Sequence, residues 1–130
     1  MRAARLVVVD DDIPLAQELA QLLAEVGYEV AGIAGEAQAA IELVGKAKPD
    51  LVVMDVRMPG MSGTQAAAVL SAEHPELPVV LWSAYDDDSI VKAARQAAVA
   101  AYVVKGCGAD ELLSAVGTLV GRPGEDGAGP

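Results

Sequence analysis

Three four-residue apolar runs in this chain each stop on a charged residue. Leu6-Val7-Val8-Val9 runs into Asp10-Asp11-Asp12, Leu51-Val52-Val53-Met54 into Asp55, and Ala101-Tyr102-Val103-Val104 into Lys105. Runs this short, bounded by turn signals and separated by helix-length segments, read as buried parallel strands. Parallel strands point the same way, so their carboxyl ends share one rim of the sheet, where open α/β sheets bind their ligands. Acids and a lysine gathered on that rim point to a metal-dependent acidic site.

The intervening segments complete a fivefold alternation. Strands are predicted over Arg5 to Val9, Tyr28 to Ile33, Leu51 to Met54, Val79 to Trp82 and Ala101 to Val104. Helix one carries Leu15, Leu19, Leu22, Leu23 and Val26 inward and ends at Gly27. Helix two turns Ala37, Ala40, Ile41 and Val44 inward and stops before Pro49. Helix three runs from about Gly63 to Glu73 with Val69 and Leu70 inward. Helix four starts in the run Asp86-Asp87-Asp88, and helix five spans about Ala109 to Val120 on Leu112, Leu113, Val116 and Val120. Alternating β and α elements imply a doubly wound α/β fold: a five-stranded parallel sheet with helices on both faces and right-handed crossovers. Trp82 reads as core.

The chain has 130 residues, and hydrophobic residues make up 53% of it with no Phe, so one domain with a core of Val, Leu, Ile and Ala is expected over residues 1–121. Residues 122–130 hold no large apolar side chain and read as a flexible tail or the start of an interdomain linker. No apolar stretch approaches the roughly 18 residues needed to span a membrane. One cysteine, Cys107, excludes an internal disulfide and a multi-cysteine metal site. A reactive thiol there is the less favoured alternative to a small inert side chain. The net charge of −10 repels phosphate backbones, which disfavours direct nucleic-acid binding. A soluble, cytoplasmic domain is the expectation.

In a sheet of order 2-1-3-4-5 the first and third strands are neighbours, so Asp10, Asp11 and Asp55 meet. Like charges this close either raise one another's pKa or recruit a cation. A hard oxygen set with room for water suits Mg²⁺. Asp12 instead reads as the cap of helix one, ahead of Pro14 in its first turn. Lys105 can reach inward with an ammonium, and Ser83 offers a hydroxyl at the same rim. A carboxylate nucleophile, a divalent cation, a lysine and a hydroxyl together match phosphoryl transfer, where catalysis is mostly positioning and charge neutralisation. The long loop from Asp55 to Gly63 is also what a functional βα connection looks like.

The segments Val7-Val8-Val9-Asp10-Asp11-Asp12, Pro49-Asp50 through Met58-Pro59-Gly60-Met61-Ser62-Gly63, Ser83-Ala84 and Tyr102-Val103-Val104-Lys105 resemble, in order and at matching spacing over about residues 5 to 120, the receiver domain of bacterial two-component response regulators. The resemblance implies a flavodoxin-like fold and a signalling phosphoacceptor rather than an enzyme acting on other substrates. It implies that Asp55 takes a phosphoryl group from a sensor histidine kinase. Asp10, Asp11, Asp55 and the backbone carbonyl of Arg57 would hold Mg²⁺. Lys105 would pair with the phosphoryl group, Ser83 would swing toward it, and Tyr102 would change rotamer behind Ser83. The surface of helix four, strand five and helix five would then control an output domain in cis or a partner protein, with a phosphorylation-dependent homodimer through that face as a further option. Arg57 and Tyr85 occupy the positions that tune phosphoryl lifetime, and bulky Tyr85 is expected to shield the acyl phosphate from water.

Two departures stand out. Gly106 follows Lys105 where the family often has a cis-linked proline, so either trans geometry or stored strain is expected. Gln96-Ala97-Ala98-Val99-Ala100-Ala101 lacks the glycines common between helix four and strand five, so that helix must end differently or accept a cost of about 1 kcal/mol. Two other functions carry some of the same residues. A haloacid-dehalogenase-like phosphatase would use Asp10 as nucleophile and Asp12 as acid/base, but it leaves Asp55 and its loop unexplained. A phosphorylation-independent pseudo-receiver has no need to retain Asp10, Asp11, Asp55, Ser83 and Lys105. The cognate kinase, the stimulus and the output are not written in these residues.

Overall fold

The runs that stop on charges form β1 (Arg5–Val9), β3 (Leu51–Asp55) and β5 (Ala101–Val104), joined in the sheet by β2 (Glu29–Ala34) and β4 (Val79–Ser83). They belong to a computed structural model that describes residues 3–84, 88–106 and 109–123. All neighbouring strands are parallel, in the order β2-β1-β3-β4-β5. The helices are α1 (Ile13–Val26), α2 (Ala37–Ala47), α3 (Gly63–Glu73), α4 (Asp88–Gln96) and α5 (Asp110–Val120).

Strand alternation sorts the core into two layers. Leu6, Val8, Leu51, Val53, Val80 and Val103 face one side and pack with Ala16, Leu19 and Leu23 of α1 and with Leu112 and Val116 of α5. Val7, Val9, Val52, Met54, Val79 and Leu81 face the other and pack with α2, α3 and α4. β1 and β3 are almost wholly buried because helices cover both of their faces, as unbroken apolar runs require.

Local details depart from the sequence pattern in instructive ways. β2 begins at Glu29, one residue later than expected, because Tyr28 is drawn into the core and its hydroxyl donates to the Gly121 carbonyl at 3.0 Å. Val26 is 40% exposed, and Ala16 rather than a larger residue completes the inner face of α1. Val69 is only half-buried; Gly63, Ala66, Ala67 and Leu70 form the buried face of α3, so small side chains bring this helix close to the sheet. Asp86, Asp87 and Cys107 lie outside the described residues, and α4 is described from Asp88. After α5, the Pro123 ring lies where a side chain at Gly27 would have to stand.

The caps set the rim. Asp12 caps α1, accepting from the Leu15 N–H at 3.2 Å, with Pro14 in the first turn. At its other end Gly27, at φ +119°, sends its N–H to the Ala24 carbonyl while Tyr28 N–H reaches Leu23, a Schellman closure. α4 closes the same way without glycine. Ala98 sits at φ +61°, its N–H donates to Arg95, and Val99 N–H donates to Ala94. An alanine in this left-handed conformation is disfavoured by about 1–2 kcal/mol. Ala98 is exposed, so Ala98→Gly removes no packing. Greater freedom of glycine in the unfolded chain offsets part of the relief, leaving an expected gain of about 0.5–1 kcal/mol, read as a higher urea midpoint at unchanged slope.

Candidate functional site

β1, β3 and β5 deliver their terminal charges to one rim. Asp10 follows β1 and is buried, its N–H donating to the Ala34 carbonyl at 3.0 Å, which ties the strand end to β2. Asp55 is the last residue of β3 and only 9% exposed. Asp11 is exposed beside them, and carboxylate oxygens of Asp10, Asp11 and Asp55 lie within 4.8 Å of one another. Three carboxylates this close, two of them buried, form a hard oxygen set of the kind that suits Mg²⁺.

Lys105 arrives from β5. Its Nζ donates to Asp10 Oδ2 at 2.8 Å and to Asp55 Oδ1 at 3.3 Å. Two backbone donors complete the frame: Asp12 N–H to Asp10 Oδ1 at 2.9 Å, and Val56 N–H to Asp55 Oδ1 at 3.0 Å. Both oxygens of Asp10 are thereby engaged. Asp55 Oδ2 makes no hydrogen bond among the described residues. The Asp10–Lys105 pair and the two backbone donors are not readable from strand-end positions alone; the sequence carries only the signal that acids and a lysine share the rim.

The electrostatics follow from burial. Desolvation pushes the Asp55 carboxyl above its ordinary value; Lys105 pulls it down, and the charge of Asp10 adds to the rise. For Lys105, burial acts to lower the pKa, but the hydrogen bond to Asp10 and the charges of Asp55 and Asp10 outweigh it and leave the ammonium more firmly protonated than usual. A cationic lysine therefore bridges two acids at neutral pH.

The remaining candidates occupy distinct places. Ser83 ends β4 and is buried, and its carbonyl accepts from the Lys105 N–H at 2.7 Å. Tyr102 pairs in register with Leu81 and is half-buried against the α2–α3–α4 layer, diagonally behind Ser83 on the same face. Arg57 is exposed in the loop after β3. Tyr85 lies outside the described residues. No described peptide bond is cis, so the Lys105–Gly106 link is trans, with Gly106 at φ +101°.

One residue gained no role from the sequence. The N–H of Gly63, the first residue of α3, donates to the Val56 carbonyl at 2.7 Å, and a Cβ placed on it would stand 2.0 Å from the carbonyl oxygen of Asp55. The helix thus begins against the backbone of the acidic residue itself. Ser62 and Gln65 lock that start with a reciprocal capping box.

The family profile for the response regulator receiver domain matches residues 6–117. The chain belongs to the receiver family. This receiver is 37% identical over 118 residues to the transcriptional regulatory protein PdtaR of Mycobacterium tuberculosis, covering 91% of this chain and 57% of that protein. It is 33% identical over 113 residues to the response regulator GacA of Pseudomonas aeruginosa, covering 86% and 53% respectively. The receiver spans about half the length of these curated relatives. Among solved structures it is similar to the signal receiver domain of the response regulator NarL from Mycobacterium tuberculosis, with a TM-score of 0.83 and 34% identity, covering 89% of this chain and 94% of that one. It is also similar to the Thermotoga maritima response regulator TrrA, solved in complex with Mg²⁺ and a beryllium fluoride, with a TM-score of 0.81 and 31% identity, covering 92% and 99%. The receiver is thus a module of two-component signalling, and no helix among its described residues is long and apolar enough to cross a membrane.

Proposed function

We propose that Asp55 is the phosphoacceptor of this receiver and takes its phosphoryl group from a sensor histidine kinase in the cytoplasm. The observation that carries the reading is Asp55 held through Oδ1 by Val56 N–H and Lys105, beside Asp10 and Asp11, with Oδ2 left for attack. In the transfer, Oδ2 forms a bond to phosphorus as the phosphorus–nitrogen bond to the kinase imidazole breaks, and the imidazole, already protonated on its other ring nitrogen, leaves as the neutral base. Asp10, Asp11, Asp55 and the backbone carbonyl of Arg57 would hold Mg²⁺, which supplies neutralisation of the charge spread over the phosphoryl oxygens.

Lys105 already stands at hydrogen-bond distance from Asp55 and pairs with the new group. Phosphorylation leaves the Asp55 group with roughly two negative charges in place of one and brings three strong acceptor oxygens. Ser83 is drawn toward them, the space it leaves lets Tyr102 turn inward, and the face of α4, β5 and α5 shifts between two arrangements. Arg57 and Tyr85 set how long the acyl phosphate lasts. The output is an effector in the remainder of a longer protein, beyond a receiver ending near residue 121, or a partner protein bound at that face.

Acetyl phosphate with Mg²⁺, followed by mass-spectrometric mapping of the label, tests the proposal. The expected result is one phosphoryl group on Asp55, lost when Mg²⁺ is chelated. Label on Asp10 would instead support the phosphatase chemistry, and an unlabelled protein a pseudo-receiver.

A further inference from the structure

Trp82 is the single tryptophan of the chain, and its indole nitrogen is the one buried side-chain polar atom without a hydrogen-bond partner among the described residues. A buried N–H with no acceptor is costly, and a leucine or phenylalanine would fill apolar space without it. The position therefore calls for the flat bulk of the ring rather than for its hydrogen bond.

The register shows where that bulk stands. Trp82 pairs with Asp55 on β3 and with Val103 on β5, and strand alternation starts all three side chains on the α1–α5 face of the sheet. Lys105 lies two residues beyond Val103, so it starts on that face as well. Its ammonium reaches Asp55 on β3 and Asp10 beyond β1, so its stem has to cross β4. Two inter-strand spacings, roughly 9–10 Å, separate β5 from β3, and a four-carbon stem covers its share of that distance only when extended. Carried past Ser83↔Val104, the register sets Lys105 opposite Ala84, so its stem descends from that rung to the rung of Asp55, where the β4 residue on this face, and the bulky one along the path, is Trp82.

We infer that Trp82 is a positioning residue for Lys105: its ring is the floor that holds the lysine stem extended toward the acids. The inference rests on the phosphoacceptor reading of Asp55, and its test separates the two. Phosphorylation of Asp55 by acetyl phosphate with Mg²⁺ is timed in Trp82→Phe, in Trp82→Val and in each combined with Lys105→Met. Trp82→Phe keeps a ring and stays within about twofold of the parent, whereas Trp82→Val is about tenfold slower, a penalty in line with sub-ångström misplacement of a catalytic group. In the Lys105→Met background the valine substitution has no further effect, because the side chain it positions is gone. Trp82→Leu fills more of the space and replaces the valine variant if that one does not fold.

A valine or leucine variant as fast as the parent overturns the inference. So does an equal slowing with and without Lys105, which marks a purely structural role, or a phenylalanine variant as slow as valine. A parent protein that takes no label on Asp55, or that is indifferent to Lys105→Met, overturns the reading beneath it and the inference together.

Discussion

Gly63→Ala is expected to unfold this receiver more readily than any other single methyl added to it. The new Cβ would lie 2.0 Å from the Asp55 carbonyl oxygen, 2.9 Å from its carbon and 2.9 Å from Val56 Cα. All three are backbone atoms, so no side chain can rotate away. The residue is not in a left-handed conformation, and the constraint is one of space alone. Nor can the helix easily retreat, because Ser62 and Gln65 cap its first turn and Gly63 N–H is bonded to Val56. Overpacking against adjustable neighbours costs about 1–3 kcal/mol, so two fixed backbones put this substitution at about 3 kcal/mol or more. For a domain of this size that is a fall in Tm of roughly 10 °C or more. The protein that remains folded should also phosphorylate more than tenfold slower, since the displaced segment carries both the Asp55 backbone and the Val56 N–H that orients its carboxylate. Thermal denaturation together with acetyl phosphate labelling checks both. A Tm within about 2 °C of the parent would mean that the start of α3 yields, against the packing argument.

Such a requirement shows where sequence reading stops. The sheet is legible because Leu6–Val9, Leu51–Met54 and Ala101–Val104 are each too short for a helix and too apolar for an exposed strand. The gathering of Asp10, Asp11, Asp55 and Lys105 is legible because a parallel sheet has only one carboxyl rim. Asp12 is legible as a cap from its position two residues before Pro14. Helix faces are less so. Val69 outranks Ala66 and Ala67 in hydropathy, yet α3 buries the alanines because closeness to the sheet rewards small residues. At Ala98 the missing glycine leaves two outcomes open in the sequence, and the Schellman closure with an alanine in the left-handed region is the one taken. Relations across strands are not legible at all: that Trp82 is the register neighbour of Asp55, or that Lys105 bonds Asp10 more closely than Asp55, depends on register and reach.

Replacing Asp55, the proposed acceptor, should make the protein more stable and chemically silent at once. Burial, reinforced by the charge of Asp10, lifts the Asp55 pKa above 3.8 despite the pull of Lys105. A carboxyl whose folded pKa is raised binds its proton more tightly in the folded state, so its contribution to stability is lost as pH rises from the ordinary carboxylate range through the raised value. Above that window the ionised side chain works against the fold. Asn at this position is neutral, keeps the shape and keeps an oxygen for Val56 N–H and Lys105. Asp55→Asn is therefore expected to raise Tm by a few degrees at pH 7.5 without added metal, with the gain shrinking as the buffer approaches pH 4. Adding Mg²⁺ should reverse the order, because a cation that binds only the folded state stabilises by mass action and the variant has lost one of three carboxylates. Labelling by acetyl phosphate should vanish, since an amide oxygen is no nucleophile toward phosphorus at this pH. A scan of Tm against pH and Mg²⁺, run beside the labelling assay, tests each part. A destabilised Asn variant in metal-free buffer would show that the Lys105–Asp55 attraction outweighs burial. Persistent labelling would move the acceptor to another residue of the rim.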